Sequence, residues 1–198
     1  MTPDEFLSAQ PKFHYDENGD PISWAIGVDA LSIIKDELAD GSRTLETGAG
    51  VSTVLFAMLS HQHTAICPDG REFDNIRRYC DGHAIRHDHV RFEEGRSEFV
   101  LPRLELEPLD LVLVDGRHAF PSPFIDWFYS AEALRVGGIM VIDDTQIITG
   151  KELSDFMAEH PSWSTIHILD KTSIFRKLDD RVHLGEWNSQ PYILNRQA

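Results

Sequence analysis

Apolar residues arrive in short runs separated by amphipathic stretches. The run Leu109-Asp-Leu-Val-Leu-Val114 is almost continuous, and 138–142 repeats the pattern, as expected of strands buried on both faces. Shorter runs at 44–46, 63–67 and 90–92 read as further strands. Between them the spacing turns helical. Leu31, Ile34 and Leu38 fall on one face of a helix over 23–39, which Gly41 stops. Helices are predicted at 52–59, at 72–80 with Phe73, Ile76 and Cys80 on one face, at 124–134, and at 151–159 before Pro161. Runs at 164–169 and 172–178 are strands joined only by Asp170-Lys171, a connection open to an antiparallel pair alone.

Strand–helix alternation implies an α/β domain built on a doubly wound, mostly parallel sheet. Seven strands are expected, with an antiparallel C-terminal hairpin. The organisation is one domain: an N-terminal arm at 1–22, a core at 23–178 and a tail at 179–198. The arm reads as loosely held, being polar and rich in turn formers (Asp16-Glu-Asn-Gly-Asp-Pro21). Ligands of such sheets bind beyond the carboxyl ends of the strands, where the winding reverses, so strand-end residues are the candidates for chemistry.

Charge narrows the partners. The 198 residues include 33 acidic and 18 basic ones, a formal net charge of -15. Such a surface repels polyanions, so neither nucleic acid nor an acidic membrane face is expected as a partner. The arginines Arg71, Arg77, Arg78, Arg86 and Arg91 are interrupted throughout by acids. A small-molecule substrate is expected, and nothing opposes a homo-oligomer. Cys67 and Cys80 match no zinc or redox spacing and read as buried thiols. With no signal-like N-terminus and no apolar run near membrane length, a cytoplasmic protein is expected.

The stretch Thr44-Leu-Glu-Thr-Gly-Ala-Gly-Val-Ser-Thr53 joins the first parallel strand to a helix. A dinucleotide fingerprint asks for three glycines; Gly48 and Gly50 supply two, and Thr53 stands at the third position. Glu46 at the strand end weakens the positive potential that favours a pyrophosphate. It suits a ligand carrying an ammonium group, such as the amino-acid end of S-adenosylmethionine (SAM). The same string can also be a tight turn that binds nothing.

Glu46-Thr-Gly48-Ala-Gly50-Val-Ser52 resembles motif I of the class I SAM-dependent methyltransferases. The resemblance continues through Asp110-Leu-Val-Leu-Val-Asp115-Gly-Arg-His118 and Leu134-Arg-Val-Gly-Gly-Ile-Met-Val-Ile-Asp143-Asp144-Thr145. It implies a Rossmann-like sheet and SAM bound by Glu46, Gly48, Gly50, Ser52 and Asp115. The adenine contact would fall to Ser97. The family's ribose-binding acid closes the second strand, where this chain has Cys67; Asp69 is the substitute, although Pro-Asp-Gly is also a strong turn signal.

Asp115, Asp143 and Asp144 follow two neighbouring strands, and their carboxylates would repel unless something cationic sits among them. Oxygen donors of this kind suit magnesium or another divalent cation. The set is similar to that of the metal-dependent catechol-type O-methyltransferases, which implies Asp115, Asp143 and Asp144 as metal ligands. His118 falls where those enzymes place a basic lysine, and with Asp115 it forms the candidate catalytic pair. A third acid expected there is replaced by Arg117. The reading is therefore a SAM-dependent O-methyltransferase of a small hydroxylated molecule. The alternatives are an NAD-binding oxidoreductase, or a SAM-binding module without catalysis.

Overall fold

The structure, a computed structural model, describes residues 1–183 and 185–197. Its centre is a seven-stranded sheet in the order β5-β4-β3-β6-β7-β9-β8. Strands β3 (Arg43–Thr47), β4 (Gln62–Cys67), β5 (Val90–Glu94), β6 (Leu109–Val114) and β7 (Leu134–Ile142) run parallel. The last two, β8 (Trp163–Ile168) and β9 (Ser173–Lys177), form the expected hairpin, and β9 lies antiparallel to β7.

Alternation along each strand decides which layer a side chain joins. Leu111 and Leu113 of β6 pack on one face, with α2 (Val28–Glu37) and α3 (Val51–Leu59). Val112 and Val114 pack on the other, with α6 (Ser122–Ala133) and α7 (Ile148–Glu159). These four β6 side chains are almost wholly buried, and each such burial stabilises by about 1.5–3 kcal/mol. Doubly buried strands make the winding unambiguous: β4 and β5 extend the sheet to one side of β3, and β6 to the other. The switch point therefore falls between β3 and β6.

The arm departs from the sequence reading. Residues Pro3–Ala9 form α1, capped by reciprocal bonds between Thr2 and Glu5. Phe6, Leu7 and Phe13 are buried in the core layer that holds α2 and α3. Polar composition concealed three large apolar anchors, so the arm is part of the core. A two-stranded hairpin follows, β1 (His14–Tyr15) with β2 (Pro21–Ile22), and brings His14 over the glycine loop.

Helix bounds shifted where caps, rather than periodicity, set the ends. The helix read over 72–80 is α4, Gly70–Gly82, and Asp69 caps it by accepting from Arg71 N–H. Short α5 (Ser97–Val100) follows β5, and α8 (Pro191–Gln197) ends the described chain. Among the described residues no helix is long and apolar enough to cross a membrane.

Candidate functional site

A cleft of about 970 Å³ opens at the carboxyl ends of β3, β4 and β6. Gly48 and Ala49 form its floor, Cys67, Glu72 and Ser97 one side, and Asp115, His118, Asp144 and Lys171 the other. Trp24, 64% exposed, stands at the mouth with His14 against it.

The glycine loop is shaped by the protein's own backbone. Gly48 has φ +103°, and a Cβ there would lie 2.4 Å from the carbonyl oxygen of Asp115. Only glycine permits both the conformation and this contact between the ends of β3 and β6. At Gly50 a Cβ would come within 3.1 Å of His14 Nε2.

Glu46 does not face the cleft. It is 1% exposed, accepts hydrogen bonds from Ser52 Oγ (2.5 Å) and from Thr53 Oγ1, and lies 3.0 Å from His63 Nε2. His63 Nδ1 in turn meets Thr44 Oγ1 at 2.8 Å. Glu46 and Ser52 thus lock the loop from behind. Neither side chain lines the cleft where the expected cofactor contacts would fall, because buried carboxylates keep the partners that satisfy them. Thr53, the apparent substitute for a third glycine, is a member of this network.

Asp69 is likewise displaced. Its carboxylate caps α4 and pairs with Arg71, and it faces a neighbouring hollow outside the cleft. The α4 acid that does line the cleft is Glu72, one helical turn further on. Glu72 Oε2 accepts from the Cys67 thiol at 2.9 Å, and Oε1 lies 3.1 Å from His14 Nδ1. Burial first, then the adjoining Glu72 carboxylate, push the Cys67 thiol far above its ordinary pKa. The sequence signal was the i,i+3 spacing of positions 69 and 72, which the Pro-Asp-Gly turn obscured.

Ser97 lies on the cleft wall, and Asp126 of α6 sits behind it. Asp126 is 1% exposed, and neither oxygen has a hydrogen bond of ordinary geometry. Burial pushes its carboxyl up to about 6, against the opposing influence of the Ser97 and Thr47 hydroxyls.

The carboxylate corner gathers two of the three expected acids. Asp115 extends β6, and its N–H donates to Thr47 O at 3.1 Å. Asp144 has φ +53°, an uncommon conformation for a residue other than glycine. His118 Nε2 lies 2.9 Å from Asp144 Oδ2, and Gln146 donates to Asp144 Oδ1 at 2.6 Å. Thr149 Oγ1 holds the His118 carbonyl at 2.5 Å, fixing the loop that carries the imidazole. Burial, followed by the charges of Asp143, Asp144 and Glu46, raises the Asp115 carboxyl well above its ordinary range.

Asp143 turns inward and does not join them. Its side chain has no exposure; one oxygen accepts from Thr172 Oγ1, and the other faces Lys171 Nζ at 3.3 Å. The catechol-type set of Asp115, Asp143 and Asp144 is therefore not assembled, which corrects that ligand assignment. One donor atom each from Asp115, His118 and Asp144 lie within 4.8 Å of one another. Yet Asp144 already serves His118, Gln146 and, at 3.7 Å, Lys171. The donor set does not fit the expected ion.

A family model described as a methyltransferase domain matches residues 45–145. That span runs from the glycine loop through the carboxylate corner and takes in half of the chain: the protein belongs to this methyltransferase family. Its fold is that of the class I SAM-dependent methyltransferases. It is similar to the O-methyltransferase TomG from Streptomyces achromogenes, solved with SAM (TM-score 0.68, 18% identity, 89% of this chain and 91% of that one). Cofactor-bound Rv0187 from MTB is also similar (TM-score 0.64, 17% identity, 88% and 87% covered). So is an rRNA methylase from Streptococcus thermophilus (TM-score 0.59, 13% identity, 80% and 100% covered). None of the curated proteins matches.

Proposed function

We propose that the protein transfers the methyl group of SAM to a hydroxyl of a small molecule. One observation carries this reading: the glycine loop, the Glu72 carboxylate and the His118–Asp144 pair line a single cleft at the switch point. TomG, of the same fold, is an O-methyltransferase solved with SAM.

In this reading the SAM amino-acid end lies by Gly48 and Asp115. The ribose diol reaches Glu72, whose oxygens are strong charged acceptors, and the adenine lies by Ser97. When SAM is bound its sulfonium supplies an activated methyl group, so alignment provides much of the rate. His118 donates its Nε2 hydrogen to Asp144, which leaves the Nδ1 lone pair to accept the acceptor's hydroxyl proton. The hydroxyl oxygen forms the new C–O bond as the C–S bond breaks, and its electron pair stays on sulfur as the neutral thioether. The proton rests on His118 until water removes it. Trp24 at the mouth offers an aromatic face to a flat acceptor. A net charge of -15 weighs against an RNA acceptor.

Calorimetric titration with SAM and S-adenosylhomocysteine, followed by transfer of labelled methyl to a panel of phenols, catechols and hydroxy acids, tests the reading. Saturable binding and a labelled methyl ether are expected. Failure to bind either nucleoside would overturn it.

A further inference from the structure

We infer that Lys171 is a built-in cation that does at the carboxylate corner what a divalent metal does in the catechol-type enzymes, so that catalysis here is metal-independent. The inference rests on the methyltransferase reading for its catalytic meaning, but its physical content stands on side-chain geometry alone.

Lys171 lies in the four-residue connection (169–172) between β8 and β9, in a turn closed by the bond from Leu169 N–H to Thr172 O. Because β9 runs antiparallel to β7, with Ser173 opposite Ile142, the turn before β9 must sit beside the residues that follow β7. Those residues are Asp143 and Asp144. The Lys171 carbonyl accepts from Thr145 N–H at 2.9 Å, pinning the turn there. The ammonium then lies 3.3 Å from Asp143 Oδ2 and 3.7 Å from Asp144 Oδ1, and donates to Ala25 O at 3.0 Å.

Three carboxylates on neighbouring strand ends need a compensating charge. In this chain the charge is covalently attached. Burial alone would lower the Lys171 pKa, but Asp143 and Asp144 outweigh it and hold the ammonium protonated. A divalent ion on Asp115, His118 and Asp144 would share Asp144 with this ammonium and be repelled by it. Lys171 also lines the cleft beside His118. There its charge steadies the oxygen of an acceptor as that oxygen loses its proton, the part played elsewhere by a Lewis acid. The bond from Lys171 to Ala25 holds the segment carrying Trp24 over the same cleft.

The test uses the full chain with manganese as the probe and S-adenosylhomocysteine binding as the check on folding. Wild-type protein should show no saturable Mn²⁺ binding up to about 1 mM, the weak end of functional protein cation sites. Lys171→Gln and Lys171→Met should gain Mn²⁺ affinity by about tenfold or more, because removing the ammonium uncovers the carboxylates. Lys171→Arg, which keeps the charge, should stay indifferent. Tight Mn²⁺ binding by the wild type overturns the inference. So does a neutral variant that still binds S-adenosylhomocysteine but gains no affinity for Mn²⁺. Loss of S-adenosylhomocysteine binding by the wild type instead overturns the methyltransferase reading, and leaves the manganese comparison to decide the role of Lys171.

Discussion

The Cys67 thiol and the Glu72 carboxylate meet at 2.9 Å, so the residue that ends β4 and the acid on the following helix act as one unit on the cleft wall. Cys67 occupies the strand-end position and Glu72 supplies the charge. Glu72→Gln should weaken S-adenosylhomocysteine binding by about 10–100-fold, the worth of hydrogen bonds to a charged acceptor. Asp69→Ala should change it by less than about threefold, because Asp69 faces away; it removes a helix cap costing about 1 kcal/mol. Calorimetry on both variants separates the two acids, and the reverse order of effects would refute the assignment.

Glu46 should prove a stability residue. Glu46→Ala leaves the Ser52 and Thr53 hydroxyls and the His63 imidazole without their buried acceptor. Its urea midpoint without any ligand should fall by the equivalent of roughly 3 kcal/mol or more. If the ligand-free protein is as stable as wild type and only cofactor affinity drops, Glu46 is a cofactor contact after all.

Asp126 makes stability depend on pH. Its carboxyl is raised to about 6, mainly by burial. A raised acid binds its proton more tightly in the folded state, so the folded form is favoured below the ordinary carboxyl range. That contribution is lost as pH rises from about 4 through 6. Asp126→Asn should therefore raise the melting temperature above pH 7, by the equivalent of up to about 3 kcal/mol. The gain should disappear near pH 4, and thermal melts across pH 4–8 would show it.

Gly48→Ala places a methyl group 2.4 Å from the Asp115 carbonyl, at φ +103°. A loss of more than about 2 kcal/mol is expected, and it should be visible without ligand. Gly50→Ala meets a movable His14 ring at 3.1 Å, and should be milder in denaturation while still disturbing the His14–Glu72 pair.

Much of this protein was readable in its chain. Apolar runs such as Leu109–Val114 and the two-residue turn at Asp170-Lys171 specify strands, winding and the final hairpin, because burial on both faces and connection length leave few alternatives. The motifs around Gly48, Asp115 and Asp143-Asp144 located the switch-point cleft. Hydrophobic pattern also missed the arm: Phe6, Leu7 and Phe13 are too sparse to show periodicity, yet they are buried.

Side-chain direction was not readable. Glu46 and Asp143 stand at strand ends like Asp115, but they turn inward because Ser52, Thr53, His63 and Thr172 offer them partners there. Glu72, not Asp69, lines the cleft because the helix begins with Asp69 as its cap. Lys171 looked like a mere turn residue until the antiparallel register of β9 set it against Asp143 and Asp144. Local pattern determines which elements form, since propensity and burial act over a few residues. Which charges meet is decided only when distant segments pack, because a hydrogen bond or ion pair depends on ångströms that no spacing in the sequence encodes.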